Sequence, residues 1–154
     1  MTRLGIIGLS HDHIWDVLPD LAANKNADLV AAVSLQRPLL ERIKKEYGAS
    51  VYTDADEMAA SEKIDAVLLY GNNRAGAEEG AKALERGWHV LIEKPMAADL
   101  DGANQLLQAA DTTGNRLMVN WPIAWWPPLM HAMNLAQSGE IGELWQTRYR
   151  AAHQ

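Results

Sequence analysis

GIIGLSHDHIW, residues 5–15, decides how the chain is read. Arg3–Gly8 is a short apolar run with the composition of a strand, and it stops at a glycine. Beyond it Ile14, Val17, Leu18 and Leu21 recur at helical spacing. Strand, tight glycine turn and helix together open a βαβ unit, in which backbone N–H groups at the helix start approach a phosphate. Gly8 holds the tight-turn position. Ser10 stands where a second glycine is expected, and its N–H and hydroxyl are still donors. His13 stands at the third glycine position, which normally permits close helix–strand packing, and Asp12 brings a negative charge toward any phosphate. The stretch is therefore either an altered phosphate loop or a His-Asp-His cluster with another purpose.

Working outward, the same alternation continues. Leu29–Val33, Val51–Tyr52, Ile64–Tyr70, Trp88–Ile92 and Leu117–Val119 read as strands. Between them, helices are predicted over about 38–47 (ended by Gly48), after Thr53 as a cap, through Ala77, Ala81 and Leu84 to Gly87, and from Asp99 to Gly114. Several strands are apolar throughout, as strands covered on both faces are. The expected fold is α/β, a doubly wound parallel sheet, with ligand loops at 8–13, 34–38, 71–76, 93–96 and 120–128. After residue 122 the pattern changes to a helix of about 129–138, a glycine turn and a strand-like Leu144–Arg150 without an evident partner. Residues 1–122 are accordingly read as a dinucleotide-binding domain, and 123–154 as the helix and strand that begin a truncated second domain.

Composition narrows the function. A chain of 154 residues can bury about 70% of its unfolded surface in one core. The net charge of −6, with scattered basic residues, argues against a nucleic-acid partner. No apolar run approaches the roughly 20 residues that cross a bilayer, and no leader is evident, so no membrane partner and a cytoplasmic location are expected. The absence of cysteine excludes disulfides and thiolate chemistry.

Four groups of residues carry possible chemistry. His11 and His13 reach one ion only if a third ligand comes from elsewhere, and spacing reveals none; capping or cleft lining by Ser10, Asp12 and the histidines is the reading adopted, and no metal is expected. At the end of the second strand, Val33-Ser34-Leu35-Gln36-Arg37 has no acid to bind a ribose, while Ser34 and Arg37 suit a 2′-phosphate. Glu93-Lys94-Pro95-Met96 follows the fifth strand, where Lys94 faces the cleft, able to polarise a carbonyl or hydrogen-bond a hydroxyl, with Glu93 beside it. Trp121, Trp125 and Trp126 read as junction core, as a sugar-stacking platform or as a surface for self-association.

GIIGLS at 5–10, ALERGWHVLIEKPMA at 83–97 and SGEIGELWQTRYR at 138–150 together resemble the Gfo/Idh/MocA oxidoreductases, over essentially the whole chain. The resemblance implies a Rossmann domain and NADP or NAD as cofactor, NADP being favoured. It implies hydride transfer between nicotinamide and a secondary alcohol or ketone of a sugar, polyol or cyclitol, with self-association into a homo-oligomer. Lys94 would be the catalytic lysine, with Glu93 and Pro95 on the nicotinamide side. Gly8 and the backbone of Leu9, Ser10, His11, Asp12 and His13 would hold the pyrophosphate. Ser34 and Arg37 would take the adenosine ribose end, and Gly71, Asn72 and Asn73 would replace the family's Thr-Pro-Asn-like loop. Two of three loop glycines are absent, Gly76 replaces a common histidine, and the family's second-domain proton-transfer histidine falls beyond this chain. The chain alone is therefore expected to be nearly inactive. A non-catalytic dinucleotide- or sugar-binding module, serving as sensor or association domain, is the alternative.

Overall fold

The computed structural model describes residues 1–150. Six parallel strands form one sheet: β1 (Thr2–Ile7), β2 (Ala27–Val33), β3 (Ser50–Tyr52), β4 (Ala66–Leu69), β5 (His89–Glu93) and β6 (Leu117–Asn120). Their order is β3-β2-β1-β4-β5-β6, so the direction of winding reverses between β1 and β4. In register, Ile6 lies beside Ala32 and Leu68, and Ile7 beside Val33 and Leu69. This is the doubly wound sheet expected from the sequence.

Alternation along each strand sorts the core into two layers. Ile6, Ala32, Leu68 and Tyr70 pack with Ile14 and Leu18 of α1 (His13–Ala23) and with Leu40 and Ile43 of α2 (Arg37–Tyr47). Ile7, Val33, Val67 and Leu69 point the other way. They meet Met58 of α3 (Ala55–Ser61), Ala77, Ala81 and Leu84 of α4 (Asn73–Glu85), and Leu106 and Ala109 of α5 (Leu100–Thr113). Burial on both faces explains why the strands are apolar without alternation.

Helix ends follow local chemistry. Gly48 and Gly114 close α2 and α5 in the left-handed conformation, and the Asp99 carboxylate caps α5 by accepting from the Gly102 N–H. The cap of α3 is Asp54, not Thr53: its carboxylate accepts from the N–H groups of both Asp56 and Glu57. A carboxylate outranks a hydroxyl there because it carries the charge that the helix start favours.

Residues 1–120 form one compact unit, and the chain from Trp121 onward forms another. The second contains a 3-10 turn (Pro122–Trp125) and α6 (Pro127–Gln137), whose start has a proline at its first position. The strand expected at Leu144–Arg150 does not form, because an isolated strand has no ladder to satisfy its backbone groups. Trp121, Trp125 and Trp126 are each about half exposed, so they belong to no core among the described residues.

Candidate functional site

The carboxyl ends of the strands share one edge of the sheet, and a groove runs along it. Its larger part, a cleft of about 460 Å³, lies over β1, β2, β3 and β4. Ile7–Ser10, Val33–Gln36 and Gly71–Asn72 line it, with Lys82 of α4 and Arg86 just after that helix. A separate small extension of about 10 Å³, which shares Gly71 and Asn72 with the cleft, touches Glu93 and Pro95 at the end of β5.

Close approach of two loops makes this geometry possible. Gly8 has φ +85°, and a Cβ there would lie 2.4 Å from the Gly71 Cα. Only glycine is tolerated at that point. The chain then enters α1 with the Asp12 carboxylate, 91% exposed, accepting from the His13 N–H.

At the far end sits a polar cluster with a buried carboxylate at its centre. Glu93 is 4% exposed. Its Oε2 accepts from Asn120 Nδ2 at 2.7 Å, and its Oε1 lies 3.0 Å from His13 Nδ1. Asn120 Nδ2 also donates to the Tyr70 hydroxyl at 3.2 Å. The His11 ring meets His13 edge-on with centroids 4.5 Å apart, and Lys94 Nζ stands 4.0 Å from Glu93 Oε1. The Lys94–Pro95 peptide is cis. Buried polar groups fully satisfied in this way hold one arrangement, since each alternative strands a charge.

A family model described as the oxidoreductase family with an NAD-binding Rossmann fold matches residues 2–121. The chain belongs to the Gfo/Idh/MocA family. An uncharacterized oxidoreductase of Rhizobium meliloti is 32% identical over 146 residues, covering 94% of this chain and 43% of the relative. The NADP-dependent scyllo-inositol 2-dehydrogenase of Bacillus subtilis is 35% identical over 120 residues, covering 77% and 36%. Scyllo-inositol dehydrogenase of Lactobacillus casei, solved with NAD(H) and scyllo-inositol, superposes with a TM-score of 0.84 at 26% identity, covering 93% and 43%. The chain thus spans less than half the length of these relatives.

Within this Gfo/Idh/MocA domain the residues singled out by sequence are not all brought together. Gly8, Leu9, Ser10, Ser34, Gly71 and Asn72 line the large cleft, although Leu9 turns its side chain into the core. Asn73, Glu93 and Pro95 line the extension. Arg37 begins α2 in solvent and is not part of the cleft wall, and Ser34 Oγ accepts from the Gln36 N–H. The side chain of His13 turns to Glu93 and its N–H is taken by the Asp12 carboxylate, so neither is directed at a phosphate. Glu93 was expected to pair with Lys94, yet Asn120 and His13 are nearer.

Tyr70 and Asn120 were missed. Each is a polar residue at the end of an otherwise aliphatic run, AVLLY and LMVN, and that contrast was the available signal. Among the described residues no helix is long and apolar enough to cross a membrane.

The cluster has a measurable signature. Burial pushes the Tyr70 hydroxyl up to about 12, the Glu93 carboxylate adds to this, and the hydrogen bond from Asn120 opposes it. An acid raised in the folded state stabilises the fold fully below its unfolded value near 10 and loses that contribution as pH climbs toward about 12. Absorbance titration of tyrosinate should show one of the four tyrosines ionising late, together with the fall in melting temperature. Late ionisation should weaken in Glu93→Gln; a group already titrating near 10 in the wild type would contradict this.

Proposed function

We propose that the chain is the cofactor-binding part of an oxidoreductase that moves hydride between NADP or NAD and a secondary alcohol or ketone of a sugar, polyol or cyclitol. The observation that carries this reading is the cleft along the carboxyl edge, from Ser34 past Gly8 to Gly71, with a small separate pocket beyond it at Glu93 and Pro95. It crosses the point where strand order reverses, the position at which doubly wound sheets bind ligands. Its residues fit a dinucleotide: a Cβ on Gly8 would close the approach to Gly71, and the exposed Asp12 side chain can rotate away from the helix start.

A bound nicotinamide supplies the hydride donor or acceptor. The residues of this chain bind and orient around it. The N–H groups of Gly8 and His11 donate to the Val33 and Tyr70 carbonyls and that of His13 to the Asp12 carboxylate, so those of Leu9, Ser10 and Asp12 would meet a pyrophosphate at the start of α1, where the helix dipole favours an anion. Asn72 opens α4 at the middle of the groove, with Gly71 before it and Asn73 after. Lys94 hydrogen-bonds the reacting oxygen, and its ammonium stabilises negative charge as that oxygen gains it. Glu93, held by Asn120 and His13, fixes the backbone from which Lys94 projects. The extension of the chain beyond residue 122 as the start of a second domain, self-association through the exposed tryptophans and a cytoplasmic location belong to the same proposal, supported by the Trp121–Trp126 exposure and the lack of cysteine.

NADP is the favoured cofactor, because β2 ends without an acid and Arg37 is free in solvent to swing onto a 2′-phosphate. Calorimetric titration with NADPH and NADH tests both statements. Arg37→Ala should weaken NADPH about tenfold, the loss of a charge-assisted hydrogen bond, and leave NADH nearly unchanged. Equal effects on the two would remove the phosphate assignment. No binding of either at millimolar concentration would overturn the oxidoreductase reading for this chain.

A further inference from the structure

The polar cluster at the end of β5, which positions Lys94 in the hydride-transfer reading, also contains a donor set for a metal ion. His11, His13 and Glu93 each offer one ligand atom, and all three atoms lie within 4.8 Å of one another. Glu93 is a third donor that the spacing of His11 and His13 could not reveal, since it lies 80 residues from His13.

We infer that these three side chains form a binding site for one divalent ion of the zinc class. A metal about 2.1 Å from each of two donors holds them about 3.0 Å apart at a right angle and about 3.4 Å apart in a tetrahedron. The 3.0 Å between His13 Nδ1 and Glu93 Oε1, a hydrogen bond in the structure, equals the right-angle bite and is about 0.4 Å short of the tetrahedral one. The three atoms lie within 4.8 Å of one another, against the roughly 4.2 Å that two such bonds can span, and rotation of the partly exposed His11 ring would close any excess.

The surroundings favour a cation. Asn120 takes Glu93 Oε2, which aims the remaining oxygen at His13 and holds a ligand already oriented. Glu93 and Asp12, whose carboxylate is 3.2 Å from His11 Nδ1, contribute two negative charges against the single positive charge of Lys94. Two imidazoles and a carboxylate match the three-ligand set of open zinc sites, with a fourth position left for water or a substrate oxygen. Binding requires no nicotinamide, so its test is independent of the proposed oxidoreductase activity.

Titration of the protein with cobalt(II), followed by its visible ligand-field absorption, and with zinc by calorimetry, should show one ion per chain. His11→Ala and Glu93→Gln should each weaken binding at least about tenfold, with His131→Ala as an unchanged control. Circular dichroism identifies any variant that fails to fold. His11 lies outside the two cores, so His11→Ala decides the matter if Glu93→Gln does not fold. Absence of one-to-one binding up to millimolar metal, or full affinity in folded His11→Ala, would overturn the assignment.

Discussion

Gly8→Val is expected to lower stability by about 3 kcal/mol or more and to abolish dinucleotide binding with it. Two independent costs combine. A β-branched residue at φ +85° sits in a region that L side chains rarely adopt. Its Cβ would also lie 2.4 Å from the Gly71 Cα and 2.5 Å from the Gly71 N, backbone atoms that cannot rotate away. Relief requires the β1 loop to separate from the β4 loop, and the groove between them is where the cofactor is proposed to lie. The Tyr70 N–H and Ile7 carbonyl bond at 3.0 Å is the link most exposed to that separation. Melting by circular dichroism should show a fall of about 10 °C or more, and calorimetry should show no NADPH or NADH binding. Gly48→Ala provides the comparison: φ is also positive, at +70°, but nothing lies within 4 Å of the added Cβ, so only the conformational cost of about 1 kcal/mol is expected. Equal losses at the two positions would show that steric approach to Gly71 is not what Gly8 provides.

That contrast also indicates what the sequence could and could not convey. Gly8 was legible because strand, glycine and helix follow one another within a few residues, and local order is what a linear pattern records. Alternation of short apolar strands with amphipathic helices carried the doubly wound sheet for the same reason. The strand expected at Leu144–Arg150 failed because apolar composition describes a strand's side chains and says nothing of the neighbour that must accept its hydrogen bonds. Arg37 was placed by its position at the end of the second strand, yet the first turn of α2 carries it into solvent beside the cleft wall. The polar cluster was the least visible feature. His13, Tyr70, Glu93 and Asn120 come from four separate elements or loop edges, and only the order of strands at the sheet centre brings them within hydrogen-bond reach.

Asn120→Leu is expected to cost about 2–3 kcal/mol, although it exchanges a polar side chain for an apolar one of similar size in a buried place. Asn120 donates at 2.7 Å to a carboxylate that is 4% exposed, and without it Glu93 Oε2 has neither that donor nor ready access to water. A hydrogen bond to a charged group is worth about 1.5–3 kcal/mol, and the buried acceptor left behind bears the desolvation cost. The Tyr70 hydroxyl loses the same donor. If this reasoning holds, the penalty belongs to the unpaired carboxylate and not to the new leucine. Glu93→Leu combined with Asn120→Leu should then be more stable than the sum of the two single losses predicts, by about 1–3 kcal/mol. Urea unfolding of the four proteins supplies the cycle. Additive losses, within about 0.5 kcal/mol, would mean that Asn120 and Glu93 contribute separately. Coupling of the expected size would make Asn120 the residue that keeps a charged carboxylate at the end of β5, in place to orient Lys94 on one side and to meet His13 on the other.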